Sequence, residues 1–131
     1  MQSLKDNFKA RTIPRDFRDL QVWQRSMDLA VLVYDVSRRF PSDERFGLIR
    51  QLRRATVSIA ANIAEGNGRG HRAEYIHHVY IARGSLMEVF TELELATRLG
   101  YLDPTSLAPC FELIDHIGRM LNRLAERLQP R

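Results

Sequence analysis

Arg54, Ser58, Asn62 and Glu65 stand at successive steps of four, four and three residues. On a helix that spacing puts all four side chains in one row. The residues between them are largely apolar, including Ala55, Val57, Ile59, Ala60, Ile63 and Ala64. A polar row along such a seam is costly unless each group finds a partner. If the following segment folds back in a hairpin turning near Arg69, Arg54 faces Ser85, Arg50 and Arg54 flank Glu88, and Asn62 faces His77 or His78. Gly84 and Ser85 are small enough to let two backbones approach and to leave room for a guanidinium. The expected role is a structural polar network of Arg54, Ser58, Asn62, Glu65, Ser85 and Glu88 that fixes helix register, as one asparagine does in a coiled-coil seam. The competing role is a recognition surface on which the arginine stays available to phosphate.

Metal and nucleophile chemistry find less support. Glu74 and His77 form a Glu-x-x-His unit of the kind that ligates di-iron centres in helical bundles, but no second such unit is present. His116 has only Asp115 beside it and no cysteine or histidine at ligand spacing. Ser58 and Ser85 lack a Gly-x-Ser-x-Gly setting. Cys110 falls on an apolar seam and reads as a small core residue. The run Gly66-Asn-Gly-Arg-Gly70 precedes a helix, where an anion could bind. It follows a helix and not a strand, and it lacks the Lys-Ser/Thr of a nucleotide loop, so it reads as a tight helix–helix turn. No catalytic residue, metal or cofactor is expected, and the chain is not read as an enzyme.

Arginine offers a different chemistry. The net charge is +4, and 18 of the 20 basic residues are arginine. Residues 1–54 carry a net +5 and residues 55–131 a net −1, so the excess lies in the first part of the chain. The planar guanidinium donates two parallel hydrogen bonds to a phosphate. Two clusters follow from the positions: Arg38, Arg39, Arg45, Arg50, Arg53 and Arg54 around a helix start, and Arg119, Arg123 and Arg127 in steps of four. Either cluster could hold an RNA or DNA backbone, with strongly salt-dependent binding that is blind to sequence. The alternative is a set of solvated faces on a protein–protein assembly module.

The elements that must position these groups are helices broken by glycine and proline. Residues 1–16 are polar and aperiodic and read as a flexible arm, leaving 17–131 as one domain. Helices are expected over about 20–39, 44–65 with Gly66 as the left-handed stop, 72–99, and 104–128 with Asp103 as its cap. Tyr75, Val79, Ala82, Leu86, Val89, Leu93 and Ala96 form one seam; Cys110, Ile114, Ile117, Leu121, Leu124 and Leu128 form another. Short connections between helices of similar length predict an all-α, up-down-up-down antiparallel four-helix bundle. The first helix is apolar over well over half its circumference, and the third carries a second apolar row of Ile76, Tyr80, Met87 and Phe90. A lone bundle covers one stripe per helix, so the surplus predicts self-association. No apolar run approaches the ~20 residues of a membrane span, the start of the chain lacks the hydrophobic block of a secretory signal, and the single cysteine fits a reducing cytoplasm.

Three segments together resemble a known family. They are Phe17-Arg-Asp-Leu-Gln-Val-Trp-Gln-Arg-Ser26 with Phe40-Pro41, Gln51-Leu-Arg-Arg-Ala-Thr-Val-Ser-Ile59 leading into Asn62-Ile-Ala-Glu-Gly66, and Ile81-Ala-Arg-Gly-Ser-Leu-Met-Glu88 with Leu99-Gly-Tyr-Leu102. They look like the bacterial four-helix bundle family found in open reading frames within intervening sequences of 23S ribosomal RNA genes. The resemblance spans about residues 17–128. It implies a cytoplasmic bundle that assembles as a homopentameric ring, with Arg54, Asn62, Glu65, Gly66, Gly84, Ser85 and Glu88 as the matching motif positions. That family is similar in turn to the accessory variability determinant of diversity-generating retroelements, a basic ring that binds nucleic acid and a reverse transcriptase. Where the family has proline shortly before the asparagine, Ala60-Ala61 stand here, and the second helix is expected to run straighter.

Overall fold

A computed structural model describes residues 16–130. Four helices carry it: α1 (Gln21–Ser37), α2 (Leu48–Gly68), α3 (Arg72–Arg98) and α4 (Pro104–Leu128). No strand occurs among the described residues. The expected arm lies outside the described residues except for Asp16, which belongs to the fold. Its carboxylate is buried and accepts from the Arg18 backbone N–H at 2.9 Å and from Arg18 Nε at 2.7 Å. This caps the short turn Phe17–Asp19 that leads into α1.

The chain between α3 and α4 turns as its residues predict. Gly100 takes φ +74°, and the Tyr101 N–H reaches Ala96 C=O at 3.0 Å while Gly100 N–H reaches Thr97 C=O at 3.1 Å. These two bonds satisfy carbonyls the helix end would otherwise leave bare. Asp103 then accepts from the Thr105 N–H at 3.3 Å and from its hydroxyl at 2.7 Å, with Pro104 as the first helical residue.

Helix α2 departs from its expected bounds at both ends. Ser42–Glu44 wind into a separate 3-10 turn, so α2 starts at Leu48, whose N–H donates to Glu44 Oε1 at 3.1 Å. At the other end Gly66 does not stop the helix. It is buried within it, and the left-handed residue is Gly70, at φ +78°. Gly66 serves close packing instead: a Cβ built there would stand 2.7 Å from the His78 Cβ on α3.

Helices α1 and α3 lie across a diagonal, each packed against both α2 and α4. Between α2 and α3 the contacts Asn67–Tyr75, Asn62–His78 and Ser58–Ser85 rise along one helix and fall along the other, so this pair runs antiparallel. The core gathers the expected seams, with Leu29, Val33, Leu52, Ile59, Val79, Leu93, Ile117 and Leu121 wholly buried. Each such side chain contributes about 1.5–3 kcal/mol through removal from water.

Candidate functional site

The polar row on α2 is built from Ser58, Asn62 and Glu65 with Ser85 and His78 of α3, and without Arg54 or Glu88. Ser85 Oγ donates to Ser58 Oγ at 2.9 Å. Asn62 Nδ2 donates to Ser58 Oγ at 3.0 Å and to the Ser58 carbonyl at 2.9 Å. That leaves Asn62 Oδ1 as acceptor for His78 Nδ1 at 2.9 Å, so the partner assigns the imidazole proton to Nδ1. The other ring nitrogen lies 3.9 Å from Glu65 Oε1, which also takes a 2.7 Å bond from Arg69. The Arg69 hydrogen bond holds the Glu65 carboxyl below the usual carboxylate range, against a smaller opposing effect of desolvation.

Arg54 and Glu88 are not part of this chain of contacts. Both are exposed, and neither side chain makes a hydrogen bond or ion pair among the described residues. The register explains it: Ser85 lies opposite Ser58, one helical turn beyond Arg54, and a serine hydroxyl fits the dry seam at far lower desolvation cost than a guanidinium. Gly84, expected to allow close approach, has open space where its Cβ would be; Gly66 is the point of close approach.

The α3 side of the seam has a polar row of its own, of which the sequence reading names His78 and Ser85 but not Glu92. His78, Ser85 and Glu92 recur every seven residues, the spacing that returns a side chain to one face of a packed helix. Glu92 is 9% exposed, and its Oε1 has no hydrogen-bond partner. Desolvation, and then the charge of Glu88, push its carboxyl up to about 7.

Among the arginine candidates, several are already engaged. Arg53 donates from Nε to Ser37 Oγ at 2.9 Å and from Nη2 to the Tyr34 carbonyl at 3.3 Å, with its guanidinium 4.6 Å from the Tyr34 ring centre. It ties α2 to the end of α1. Arg119 pairs with Asp115 at 3.0 Å, and Arg38 lies 3.7 Å from Asp35. Arg39, Arg45, Arg50, Arg54, Arg123 and Arg127 are exposed and make no ion pair among the described residues. Arg45, Arg50, Arg53 and Arg54 rim one concavity whose apolar lining is Tyr34, Phe46, Ile49 and Val57. Phe46 is a second residue the sequence reading did not single out. Its signal is an aromatic just before Gly47 and off the apolar seam; the structure places it in the loop ahead of α2, where the sequence reading expects helix.

The surplus apolar surface is present on both sides of the diagonal. Met27 and Val31 stand exposed on α1. On the other side Met87 and Phe90 of α3 and Phe111 and Ile114 of α4 line a groove over Gly118. Of the expected second row on α3, Tyr80, Met87 and Phe90 are exposed and Ile76 is half-buried.

The groups considered for catalysis are placed elsewhere or otherwise occupied. Cys110 is fully buried and its thiol is pushed up to about 11 by desolvation, which keeps it from being a thiolate at neutral pH. Ser58 and Ser85 bond to each other, and neither hydroxyl bonds to a histidine or carboxylate among the described residues. Glu74 and His77 are both exposed, and among the described residues no group of three or more His, Cys, Asp or Glu could hold a metal ion. No described helix is long and apolar enough to cross a membrane.

These features define an all-α bundle with a hydrogen-bonded polar seam and one arginine-rimmed apolar corner. The chain belongs to the family described as 23S rRNA-intervening sequence protein, which it matches over residues 18–123. It is similar in structure to a protein of unknown function from the S23 ribosomal protein family of Bacteroides thetaiotaomicron. The two are 25% identical, with a TM-score of 0.73 over 79% of this chain and 97% of that one. No curated protein matches it.

Proposed function

We propose that the chain is a non-enzymatic, self-associating scaffold that holds nucleic acid through arginines left free by the fold. The observation that carries this reading is the corner where Arg45, Arg50 and Arg54, none of them ion-paired among the described residues, surround an apolar concavity. Arg39 at the end of α1 and Arg123 and Arg127 on α4 supply further unpaired charge. Backbone phosphates are the natural partner for such forks, and the resemblance to the accessory variability determinant of retroelements points the same way. Binding to a labelled RNA should weaken about tenfold or more from low to physiological salt, because each neutralised phosphate releases counterions. Replacing Arg45, Arg50 and Arg54 together with alanine should flatten that dependence. Affinity indifferent to salt, or no binding at low salt, removes the reading.

Self-association is the second half of the proposal. The bundle is up-down-up-down, with α1 and α3 on opposite corners, so their exposed apolar faces point away from one another. A copy that sets its α1 face against the α3–α4 groove of the next makes a head-to-tail contact, which closes into a ring when the rotation allows. A pentamer is the size the family resemblance implies, and the cytoplasm is the location it fits. Sedimentation showing a stable monomer at micromolar concentration would rule this out. The same apolar faces would also serve a protein–protein assembly module; co-purification of one stoichiometric protein partner, free of nucleic acid, favours that alternative.

A further inference from the structure

We propose that the nucleic acid held at the arginine corner is single-stranded, and that Phe46 is the platform on which one of its bases stacks. This rests on the nucleic-acid reading above and names the form of nucleic acid the site takes.

Phe46 is 78% exposed, more than any other large apolar side chain described. It stands in the connection between the Ser42–Glu44 turn and α2, preceded by Arg45 and followed by Gly47. Among the described residues its ring meets no other aromatic. The one cation over it among the described residues is the Arg45 guanidinium, 6.0 Å from the ring centre. Tyr34, the other ring of the concavity, is already covered by Arg53 at 4.6 Å. Phe46 is therefore the ring with a free face.

Around it the guanidiniums of Arg45, Arg50 and Arg54 share the same concavity. Flat apolar surface interleaved with unpaired positive charge matches the alternation of base and phosphate along an unpaired strand. A duplex fits poorly, since its bases are stacked on one another and offer no free face to a lone ring. A protein occupant fits less well too: the concavity has no acidic side chain in its lining, so a protein would have to bring a carboxylate for each guanidinium it covered.

The test uses the full chain with two fluorescein-labelled probes of equal length, an oligouridylate single strand and an RNA duplex, at low salt. The unmodified protein should bind the single strand more tightly. Phe46→Ala should lose about tenfold in affinity for the single strand, the scale of one stacked base, while affinity for the duplex and the salt dependence stay as they were. Phe46→Trp should restore single-strand affinity, with indole fluorescence quenched on binding. Arg50→Ala should weaken both probes and reduce the salt dependence. If Phe46→Ala binds both probes as the parent does, the stacking platform is wrong and the nucleic-acid reading stands. If the parent binds neither probe, that reading itself fails. If Phe46→Ala lowers the sedimentation coefficient and leaves single-strand affinity intact, Phe46 is a contact between proteins and the proposal is overturned.

Discussion

Gly66 of α2 and His78 of α3 meet so closely that a methyl group on Gly66 would stand 2.7 Å from the His78 Cβ and 3.1 Å from Tyr75 Cδ1. A Cβ is fixed to its backbone, so relief requires α3 to move away from α2. Alanine normally gains about 1 kcal/mol over glycine inside a helix. At Gly66 overpacking should outweigh that gain and leave a net loss of about 1–3 kcal/mol. Gly84→Ala should do the opposite, since nothing lies within 4 Å of the new methyl, and gain up to about 1 kcal/mol. Urea denaturation of the two variants checks the pair. Equal stabilisation by both would mean that α2 and α3 are not this close at Gly66.

Asn62 sits between two partners, giving its amide protons to Ser58 and its carbonyl to His78. Leucine in its place keeps the branching at Cγ but is the larger side chain, offers no acceptor, and strands the His78 donor in a half-buried seam. Asn62→Leu should therefore lose about 1–3 kcal/mol of stability. Its affinity for RNA should hold, because Asn62 lies about 12 Å along the helix axis from Arg54. A double-mutant cycle with His78→Ala should return a coupling of about 0.5–3 kcal/mol. An RNA-binding defect with folding and assembly intact would instead make this row a recognition surface.

Much of this architecture is legible in the sequence. Glycine at 100, aspartate at 103 and proline at 104 act through local backbone chemistry, and local chemistry is what a sequence displays most directly. Apolar spacing of threes and fours likewise marked the buried residues of α3 and α4. Register was less legible. A hairpin turn near Arg69 sets Asn62 against His78, as found, but it also sets Ser85 against Arg54, and Ser85 lies one turn of slip away, on Ser58. The slip follows from Gly66, which reads as a helix stop but is consumed as a close-packing site, so the turn falls later, at Gly70. Arg53 and Arg54 show the remaining limit. Neighbours of one type in sequence, they point about 100° apart on a helix, so one reaches back to Ser37 and Tyr34 while the other faces water.

Tyr101 Oη donates to Glu44 Oε2 at 2.5 Å, and the other carboxylate oxygen accepts the Leu48 N–H. One carboxylate thus ties the α3–α4 turn to the start of α2. The Tyr101 bond, followed by the Leu48 bond, holds the Glu44 carboxyl below its ordinary value of 4.5. A depressed carboxylate adds stability above the unfolded value and loses it as pH falls through the folded one. Tyr101→Phe should therefore melt at a lower temperature than the parent at neutral pH, with the gap narrowing as pH drops below 4.5. Thermal melts across that range measure it. A gap that stays constant at all pH values would mean that the phenol acts through packing against Phe40, whose ring centre is 5.6 Å away, and not through Glu44.

Glu92 has the reverse sign. Burial and the Glu88 charge raise its carboxyl from 4.5 to about 7 in the fold, so the native state favours the neutral acid. Between those two values each rise in pH ionises the unfolded chain more readily than the folded one, and stability drains away until the folded group is itself ionised. The total loss is up to about 3 kcal/mol. Glutamine keeps the shape and removes the charge. Glu92→Gln should therefore match the parent only below the unfolded value of 4.5 and exceed it by about 1–3 kcal/mol near about pH 8, read from urea midpoints. The variant should also unfold with a pH dependence visibly flatter than the parent's. A glutamine variant less stable than the parent at the higher pH would show the opposite arrangement, a carboxylate that is held ionised in the native state.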